Sequence, residues 1–352
     1  MLVSALGATI LGAAIENDIF LRGTRVSDCD LDVVGIGNAI VDVLAASDDE
    51  FLTGHGIAKG AMTLIDAARA ETLYGSMGPG IECSGGSAAN TIAGIAGLGG
   101  RAGFIGKVKD DQLGRVFIHD LRSTGAVFDS TPAADGTSTA RCLIMVTPDA
   151  QRTMNTYLGA CVELGPGDID AGLIGRAAIT YLEGYLWDPP EAKKAFRKAI
   201  DIAHGAGRKV ALTLSDAFCV DRFRDEFRRL IEDEIDILFA NEQEIISLYR
   251  SADFDGAVQQ VRPHCNVVAL TRSEKGCVIL GNDEIHIIDA APVDKVVDTT
   301  GAGDLFAAGF LYGLTNNRGL AECGRIGGLC AAEIISHYGA RPEADLSALL
   351  NG

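Results

Sequence analysis

From Leu31 onward, apolar and polar positions divide the chain into two alternating kinds of segment. Short runs that are apolar throughout are typical of strands covered on both faces by helices. We predict strands at LDVVGIG, RAGFIG, ARCLIMV, AAITYLEGYLW, RKVALTL, IDILFA and NVVALT. Between them lie segments such as residues 191–207, whose apolar positions recur with helical spacing before a glycine stop. The alternation predicts βαβ units and a mostly parallel sheet in an α/β sandwich, with ligands beyond the carboxyl ends of the strands.

Two stretches interrupt this alternation, at about residues 43–66 and 136–160. Each contains short strand-like pieces separated by Gly, Asp and Pro turns. We expect these pieces to pair as a small second sheet, inserted discontinuously into a single domain that covers residues 31–352. Residues 1–30 are interpreted as a dispensable extension, because their apolar start is shorter than the roughly 20 residues of a membrane span. A signal peptide is the alternative, although the first arginine is Arg22.

The charge of the chain excludes some partners. Its 48 acidic and 30 basic residues give a formal net charge of −18, which argues against nucleic acid or an anionic membrane as a ligand. A phosphorylated ligand would instead need local donors, such as the N–H groups at a helix N-terminus. The nine cysteines form no Cys-x-x-Cys pair, which indicates free thiols in a reducing, cytoplasmic compartment.

A glycine turn precedes an acid and a long apolar run near the C-terminus. Gly301 and Gly303 permit a tight turn, and the helix that follows would present free N–H groups to negative charge. Asp304 is either a simple helix-start acid or a base, because phosphoryl transfer to an alcohol needs both an anion hole and a proton acceptor. A P-loop match is absent from the sequence. GIGNAI carries Ile40 at the third glycine position, so a dinucleotide-binding dehydrogenase is only weakly supported.

Two long segments carry a family resemblance. DTTGAGDLFAAGF at residues 298–310 and GGSAANTIAGIAGLGGRAGFIGKVKDDQLG at residues 85–114 resemble the two signatures of the ribokinase/PfkB carbohydrate kinase family. The resemblance implies a three-layer α/β/α core with a small β-sheet lid, and ATP-dependent phosphorylation of a hydroxymethyl group. It also implies that Asp304 is the catalytic base, with an anion hole formed by Gly301, Ala302 and Gly303.

The same resemblance implies a nucleotide and metal site. Asn241 and Glu244 match the motif that organises phosphate, water and Mg²⁺, with Glu244 acting through water, although the two residues also predict a helix capping box. Thr271 and Gly276 match ATP contacts, with Ser273 where the family usually has glycine. A further family-based expectation is a monovalent cation, K⁺, near the positions Asp298 and Thr300.

The acceptor residues follow from the same comparison. Asn38, Asp42 and Asn90 match the family's ligands for acceptor hydroxyls, together with Gly85 and Gly86. Taken alone, Asp42 reads as an ordinary loop acid and Asn90 as a helix-start amide.

Segments GNAIVDV and GGSAAN resemble the adenosine kinase branch, and Ser87 stands where ribokinases typically have lysine. Arg152 precedes a lid strand on which Met154, Thr156 and Leu158 share one face, an apolar face that suits a purine. The resemblance implies that Arg152, Met154 and Leu158 bind the acceptor. For Tyr185 and Trp187, core packing is the favoured interpretation.

We therefore predict an ATP- and Mg²⁺-dependent kinase of the 5′-hydroxyl of adenosine. The alternatives are a PfkB-type kinase of a sugar or another nucleoside, and a nucleotide-binding regulator without chemistry; an intact Asp304 argues against the regulator. The expected partners are ATP and a small-molecule acceptor, not nucleic acid or membrane. The sequence leaves open whether the protein forms a homodimer through the lid.

Overall fold

The computed structural model describes residues 29–149 and 151–350. Most of the predicted N-terminal extension, residues 1–28, lies outside the described residues. Its last two residues are part of the folded domain, because Cys29 is buried and the Asp30 carboxylate accepts hydrogen bonds from Arg176 Nε at 2.9 and 3.0 Å.

Thirteen strands and twelve helices make up the described fold. The strands are β1 Leu31–Ile36, β2 Ile40–Ala46, β3 Met62–Leu64, β4 Gly80–Gly85, β5 Ala102–Ile105, β6 Ala140–Val146, β7 Arg152–Tyr157, β8 Ala177–Glu183, β9 Lys209–Thr213, β10 Ile237–Asn241, β11 Val267–Thr271, β12 Cys277–Gly281 and β13 Glu284–Ile288. The α-helices are Asp49–Gly54, Ala67–Ser76, Ser87–Gly97, Gln112–Ser123, Ala171–Arg176, Pro190–Gly205, Ala217–Asp233, Glu242–Tyr249, Phe254–Val261, Ala302–Thr315, Leu320–Ile334 and Leu346–Leu349.

The large sheet has eight strands in the order β13-β12-β11-β10-β9-β8-β1-β5. The six strands from β11 to β5 are parallel, and β12 and β13 are antiparallel at one edge. Alternate residues enter different cores: Val33 and Phe239 pack on the side of helix Ala302–Thr315, whereas Val34 and Leu238 pack on the side of helix Pro190–Gly205. Since helices cover both faces, the predicted three-layer α/β/α sandwich is confirmed.

The second sheet has five strands in the order β3-β7-β6-β2-β4. Segment ARCLIMV, predicted both as an apolar strand and as part of the lid stretch at 136–160, is strand β6 of this second sheet and pairs with β2 and β7. Strand β4 lies outside both predicted lid segments. One face of this lid sheet packs under Leu52 and Leu73 of the two helices that precede β4, so its other face is the one directed at the site described below.

Segment AAITYLEGYLW was predicted as one strand, but β8 ends at Glu183 and residues Gly184–Trp187 form a 3₁₀ turn. The turn places the two aromatic rings differently. Trp187 is buried against Phe196 and Phe227, as expected. Tyr185 is 41% exposed, so the core-packing expectation is wrong for this ring.

Throughout residues 29–149 and 151–350, no helix combines the length and the apolar character that a membrane span requires.

Candidate active site

The carboxyl ends of the parallel strands bring the predicted site residues to one edge of the large sheet. Asn38 follows β1, Glu183 ends β8, Asn241 ends β10 and Thr271 ends β11. This edge of an open α/β sheet is where ligands bind, because strand ends and helix N-termini meet there. Helix Ala302–Thr315 begins beside it.

The turn before helix Ala302–Thr315 leaves backbone donors free. Gly301 caps the helix with φ 79°, a left-handed conformation that glycine adopts without strain. The Ala302 N–H donates to the Thr299 carbonyl oxygen at 3.2 Å. Within the described residues, the N–H groups of Gly303 and Asp304 have no acceptor, and the space next to Gly303 is open. The turn therefore offers the amides of Gly303 and Asp304 to an anion, whereas the Ala302 N–H, predicted as part of the anion hole, is already bound within the turn.

Asp304 does not cap its own helix. Its carboxylate instead faces helix Ser87–Gly97, where Oδ1 accepts from Ser87 Oγ at 2.6 Å and Oδ2 accepts from Asn90 Nδ2 at 2.9 Å. Burial raises the pKa of Asp304, while these two hydrogen bonds and the charge of Arg341 oppose the increase. The geometry thus separates the carboxylate from the free amides of the turn.

Asn38 is oriented by a buried carboxylate that the sequence did not reveal. Its Nδ2 donates to Glu183 Oε1 at 2.6 Å, and Glu183 Oε2 accepts the Ala88 N–H at 2.8 Å. Burial raises the pKa of Glu183 to about 7. The available signal was an acid at the end of an otherwise apolar strand. Glu183 joins the β1 end to the start of helix Ser87–Gly97.

Asp42 extends from lid strand β2 towards the same place. Within the described residues its carboxylate has no hydrogen-bond partner. Burial raises its pKa to about 6, although the guanidinium groups of Arg341 and Arg152 lower it. A Cβ atom at Gly85 would lie 2.5 Å from Asp42 Oδ2, so the glycine lets the carboxylate lie directly over the backbone. A carboxylate without partners at a cleft is suited to binding hydroxyl groups.

Arg152 makes an ion pair between the lid and the core. Its guanidinium donates to the Asp298 carboxylate and, at 3.1 Å, to Thr300 Oγ1. The same carboxylate accepts from Thr300 N at 3.0 Å and from Gly339 N at 3.1 Å. These donors surround Asp298, and both charged side chains are 7% exposed. The residues therefore do not fit the expected K⁺, because an arginine already supplies the positive charge at this carboxylate.

The lid face that carries Arg152 is largely apolar. Met154 and Thr156 of β7 pair in parallel register with Met62 and Leu64 of β3, so all four side chains share that face. Met62 is 52% exposed and Leu64 is 58% exposed. Leu158 has the same parity and is partly exposed. The predicted sharing of one face by Met154, Thr156 and Leu158 agrees with this register.

On the nucleotide side, Asn241 and Glu244 form a complete capping box. Asn241 Oδ1 accepts the Glu244 N–H at 2.9 Å, and Glu244 Oε2 accepts the Asn241 N–H at 2.9 Å. Burial raises the pKa of Glu244 to about 7, with a further contribution from the charge of Asp216. No cluster of three or more acidic, His or Cys side chains suited to a metal occurs among the described residues. A metal at this position would need ligands from a nucleotide.

Thr271 and Gly276 frame the turn between β11 and β12. Thr271 ends β11, and Gly276 must be small because a Cβ atom there would overlap the Ile288 carbonyl oxygen. Ser273 has φ 53°. A glycine would adopt this left-handed conformation without cost, which explains the physical preference for glycine at the position.

Comparison with known proteins identifies kinases, both by a family match and by solved structures. Residues 81–346 match the pfkB family carbohydrate kinase. A probable sugar kinase from Rhizobium etli is 51% identical, with a TM-score of 0.85 over 92% of this chain and 98% of the other. Adenosine kinase from Sinorhizobium meliloti is 52% identical, with a TM-score of 0.84 over 91% of this chain and 98% of the other.

Curated relatives are more distant. An uncharacterized sugar kinase from Archaeoglobus fulgidus is 29% identical over 70% of this chain and 96% of its own length. A probable fructokinase-4 from Arabidopsis thaliana is 27% identical over 77% of this chain and 89% of its own length. The chain therefore belongs to the pfkB family of carbohydrate kinases, phosphotransferases that use ATP and act on a hydroxyl group.

Proposed function

We propose that the protein transfers the γ-phosphoryl group of ATP to the 5′-hydroxyl of adenosine. The observation that carries the chemistry is Asp304, whose carboxylate faces the acceptor side while the N–H groups of Gly303 and Asp304 stay free. The choice of adenosine is supported by the 52% identity to the Sinorhizobium meliloti adenosine kinase. The exposed apolar lid face supports it further, because a purine ring gains more from apolar cover than a small sugar does.

In the proposed reaction, Asp42 and Asn38 bind the ribose hydroxyls. The 5′-hydroxyl oxygen attacks the γ-phosphorus, its proton passes to the Asp304 carboxylate, and the bond to the β–γ bridging oxygen breaks. ADP leaves, and the new oxygen–phosphorus bond gives AMP. The amides of Gly303 and Asp304 stabilise charge on the phosphoryl oxygens at the positive end of the helix.

Mg²⁺ would neutralise the nucleotide phosphates in this reaction. The carboxylates that would hold it through water are Glu244 and Asp216, whose charges lie close enough that Asp216 raises the pKa of Glu244. ATP would reach this side of the site between the Asn241 and Thr271 strand ends, with Gly276 leaving room at the neighbouring turn.

An acceptor screen tests the proposal. ATP consumption is measured with adenosine, other nucleosides, ribose, fructose and 2-keto-3-deoxygluconate, and AMP formation is followed by chromatography. We expect adenosine to give the highest kcat/KM. Strong turnover of a free sugar with none of adenosine contradicts the assignment.

The alternative, a sugar kinase, is favoured by the names of the Rhizobium etli and Archaeoglobus fulgidus relatives. The two functions also differ in how they use the lid. Replacing Met154 with Asp should reduce kcat/KM for adenosine through loss of apolar contact with the base, whereas a sugar bound mainly through its hydroxyls should be affected much less.

Three further proposals concern the cell. None of the nine cysteines forms a disulfide among the described residues, which supports a reducing cytoplasm. Adenosine phosphorylation would place the protein in purine salvage. A homodimer would bury the exposed Met62 and Leu64 side chains on the lid. Light scattering with and without adenosine distinguishes a dimer from a monomer whose lid covers its own substrate.

A further inference from the structure

The segment after helix Leu320–Ile334 brings an arginine to the acceptor side. Arg341 Nη1 donates to Asn90 Oδ1 at 2.9 Å and to the Ala89 carbonyl oxygen at 3.2 Å, and Arg341 Nη2 donates to Ser84 Oγ at 2.7 Å. The Arg341 side chain is half-buried, and this burial lowers the pKa of Arg341. None of the sequence motifs includes this residue.

The hydrogen bonds of Arg341 fix the orientation of Asn90. A guanidinium has only donors, so the Asn90 atom that faces it is the amide oxygen. An ionised carboxylate has only acceptors, so the atom that faces Asp304 is the amide nitrogen, at 2.9 Å from Oδ2. Rotating the amide by half a turn would place donor against donor and acceptor against acceptor. Arg341 and Asp304 therefore hold Asn90 from opposite ends.

Arg341 also offsets the negative charge of the acceptor site. The charge of Asp304 raises the pKa of Asp42, whereas the Arg341 guanidinium lowers the pKa of both carboxylates. Two neighbouring carboxylates without a cation tend to share a proton, which would neutralise one of them near neutral pH.

We propose that Arg341 is a positioning residue for phosphoryl transfer, which holds the Asn90 amide against Asp304 and supplies the positive charge that balances Asp42 and Asp304. This inference rests on the proposed transfer with Asp304 as base, but not on the identity of the acceptor.

Other groups also face these two carboxylates. They come from the lid and from the large sheet, and comprise Arg152, Glu183, Tyr181, Tyr185, Cys83 and Cys142. The raised pKa values of the tyrosines and cysteines keep these groups neutral at physiological pH. The pKa of Glu183, about 7, lies close to that of Asp42, about 6. Repeating the pH profile in the Glu183→Gln background distinguishes the contribution of Glu183 from that of Asp42.

The test compares Arg341→Met, which removes the charge at similar size, with Arg341→Lys, which keeps it. For Arg341→Met we expect kcat to fall about 10- to 100-fold, the scale of a misplaced reacting group, while KM for ATP stays near the wild-type value. A double-mutant cycle with Asn90→Ala should show less than additive losses, since both changes break one contact. Arg325→Met, a surface substitution in an Arg325–Glu322 pair, is the control and should match wild type.

The pH profile of kcat/KM separates positioning from general stability. Without the guanidinium, the acidic limb should move to higher pH by about one unit, because the carboxylates lose the charge that favours their ionised form. Arg341→Lys should return most of that shift but not the full kcat, because one ammonium group cannot reach all three acceptors in the guanidinium geometry.

The inference is overturned if Arg341→Met lowers only the melting temperature and keeps the wild-type pH profile and kcat. Should the Met variant fail to fold, the Lys variant decides: a wild-type kcat there contradicts the positioning role. An inactive wild-type protein, or full turnover by Asp304→Asn, would instead contradict the proposed function itself.

Discussion

Asp304 shows how an acid can open a helix without capping it. Its position in the first turn suits either a dipole-matching acid or a base, and both interpretations agree with the sequence. The Asp304 carboxylate accepts hydrogen bonds from Ser87 and Asn90 across the cleft rather than from its own helix, which favours the proposed base. Burial raises the pKa of Asp304. Its carboxylate lies beside the place where the acceptor hydroxyl would be bound.

Replacing Asp304 with Asn should lower kcat about 10²- to 10⁴-fold, the usual scale for loss of a general base. Acceptor KM should change less, because Asp42 and Asn38 remain. Steady-state kinetics with adenosine provide the measurement. Ser87→Ala keeps the carboxylate and loses one hydrogen bond, so its loss should be clearly smaller; an equal loss would mean that the site collapsed.

Glu183 predicts a pH dependence of stability. Its pKa is about 7 in the folded protein against an ordinary value of 4.5. The folded state thus binds the extra proton between these values, so the stability that this group contributes falls as pH rises from about 4.5 to 7. At pH 8 the cost of ionising the buried group is of the order of 3 kcal/mol.

Glu183→Gln should remove this dependence. The melting temperature of the variant relative to wild type should increase between pH 5 and pH 8, as measured by calorimetry in matched buffers. Asp42 and Glu244 titrate in both proteins, so their contributions cancel in the difference. A difference that does not change with pH would show that Glu183 is not the responsible group.

The motif residues could be predicted individually, but their supporting partners could not. Asn90 and Asp304 stand within recognisable segments. Glu183 and Arg341 do not, because Glu183 meets Asn38 across 145 positions and Arg341 meets Asn90 across 251 positions. No local pattern encodes such contacts; only the tertiary fold brings these residues together.

At the scale of elements, the apolar runs predicted where strands occur better than they predicted to which sheet each strand belongs. Segment ARCLIMV reads both as a main-sheet strand, by its composition, and as part of the lid stretch at 136–160, and the structure places it in the lid as β6. A strand of the main sheet and strand β6 of the lid are both buried on two faces, so hydrophobicity alone does not show to which sheet a strand belongs. Strand β4, GIECSG, is rich in glycine and polar residues, which explains why its sequence did not predict a strand.

The junction between β4 and helix Ser87–Gly97 depends on Gly86. This residue has φ 94°, and a Cβ atom there would overlap the Asn38 carbonyl oxygen. Gly99 is a matched control, since it has φ 86° and nothing within 4 Å of a Cβ position.

Gly99→Ala should lower the free energy of unfolding by about 1–2 kcal/mol, the conformational cost alone. Gly86→Ala should cost clearly more, and it should lower kcat/KM because Asn38 is displaced. Denaturant unfolding measures the free energy of unfolding of both variants. Equal losses for the two variants would contradict a contact-based role for Gly86.

For the whole molecule, the decisive relation is between the lid and the core. The lid contributes Asp42 and Arg152, and Arg152 pairs with Asp298 of the core. From the C-terminal segment, Gly339 donates to the same Asp298 carboxylate, and Arg341 donates to Asn90, which itself donates to Asp304. The sequence predicts Asp42, Asp298 and Asp304 as site residues, but it does not show that one lid arginine closes onto the carboxylate expected to bind a cation. Arg152 supplies, next to the Asp298 carboxylate, the positive charge that the sequence comparison assigned to K⁺.

Turnover should consequently be independent of K⁺. We expect the same kcat/KM in potassium chloride and in tetramethylammonium chloride at equal ionic strength, because the Asp298 carboxylate is already surrounded by Arg152, Thr300 and Gly339 donors. Arg152→Met should destabilise the protein by about 3–5 kcal/mol, since it leaves a buried carboxylate unpaired. Arg152→Lys should recover part of that loss through its charge. A wild-type enzyme that requires K⁺ would mean that Arg152 leaves Asp298 during the reaction, and that the lid opens the core site to a cation.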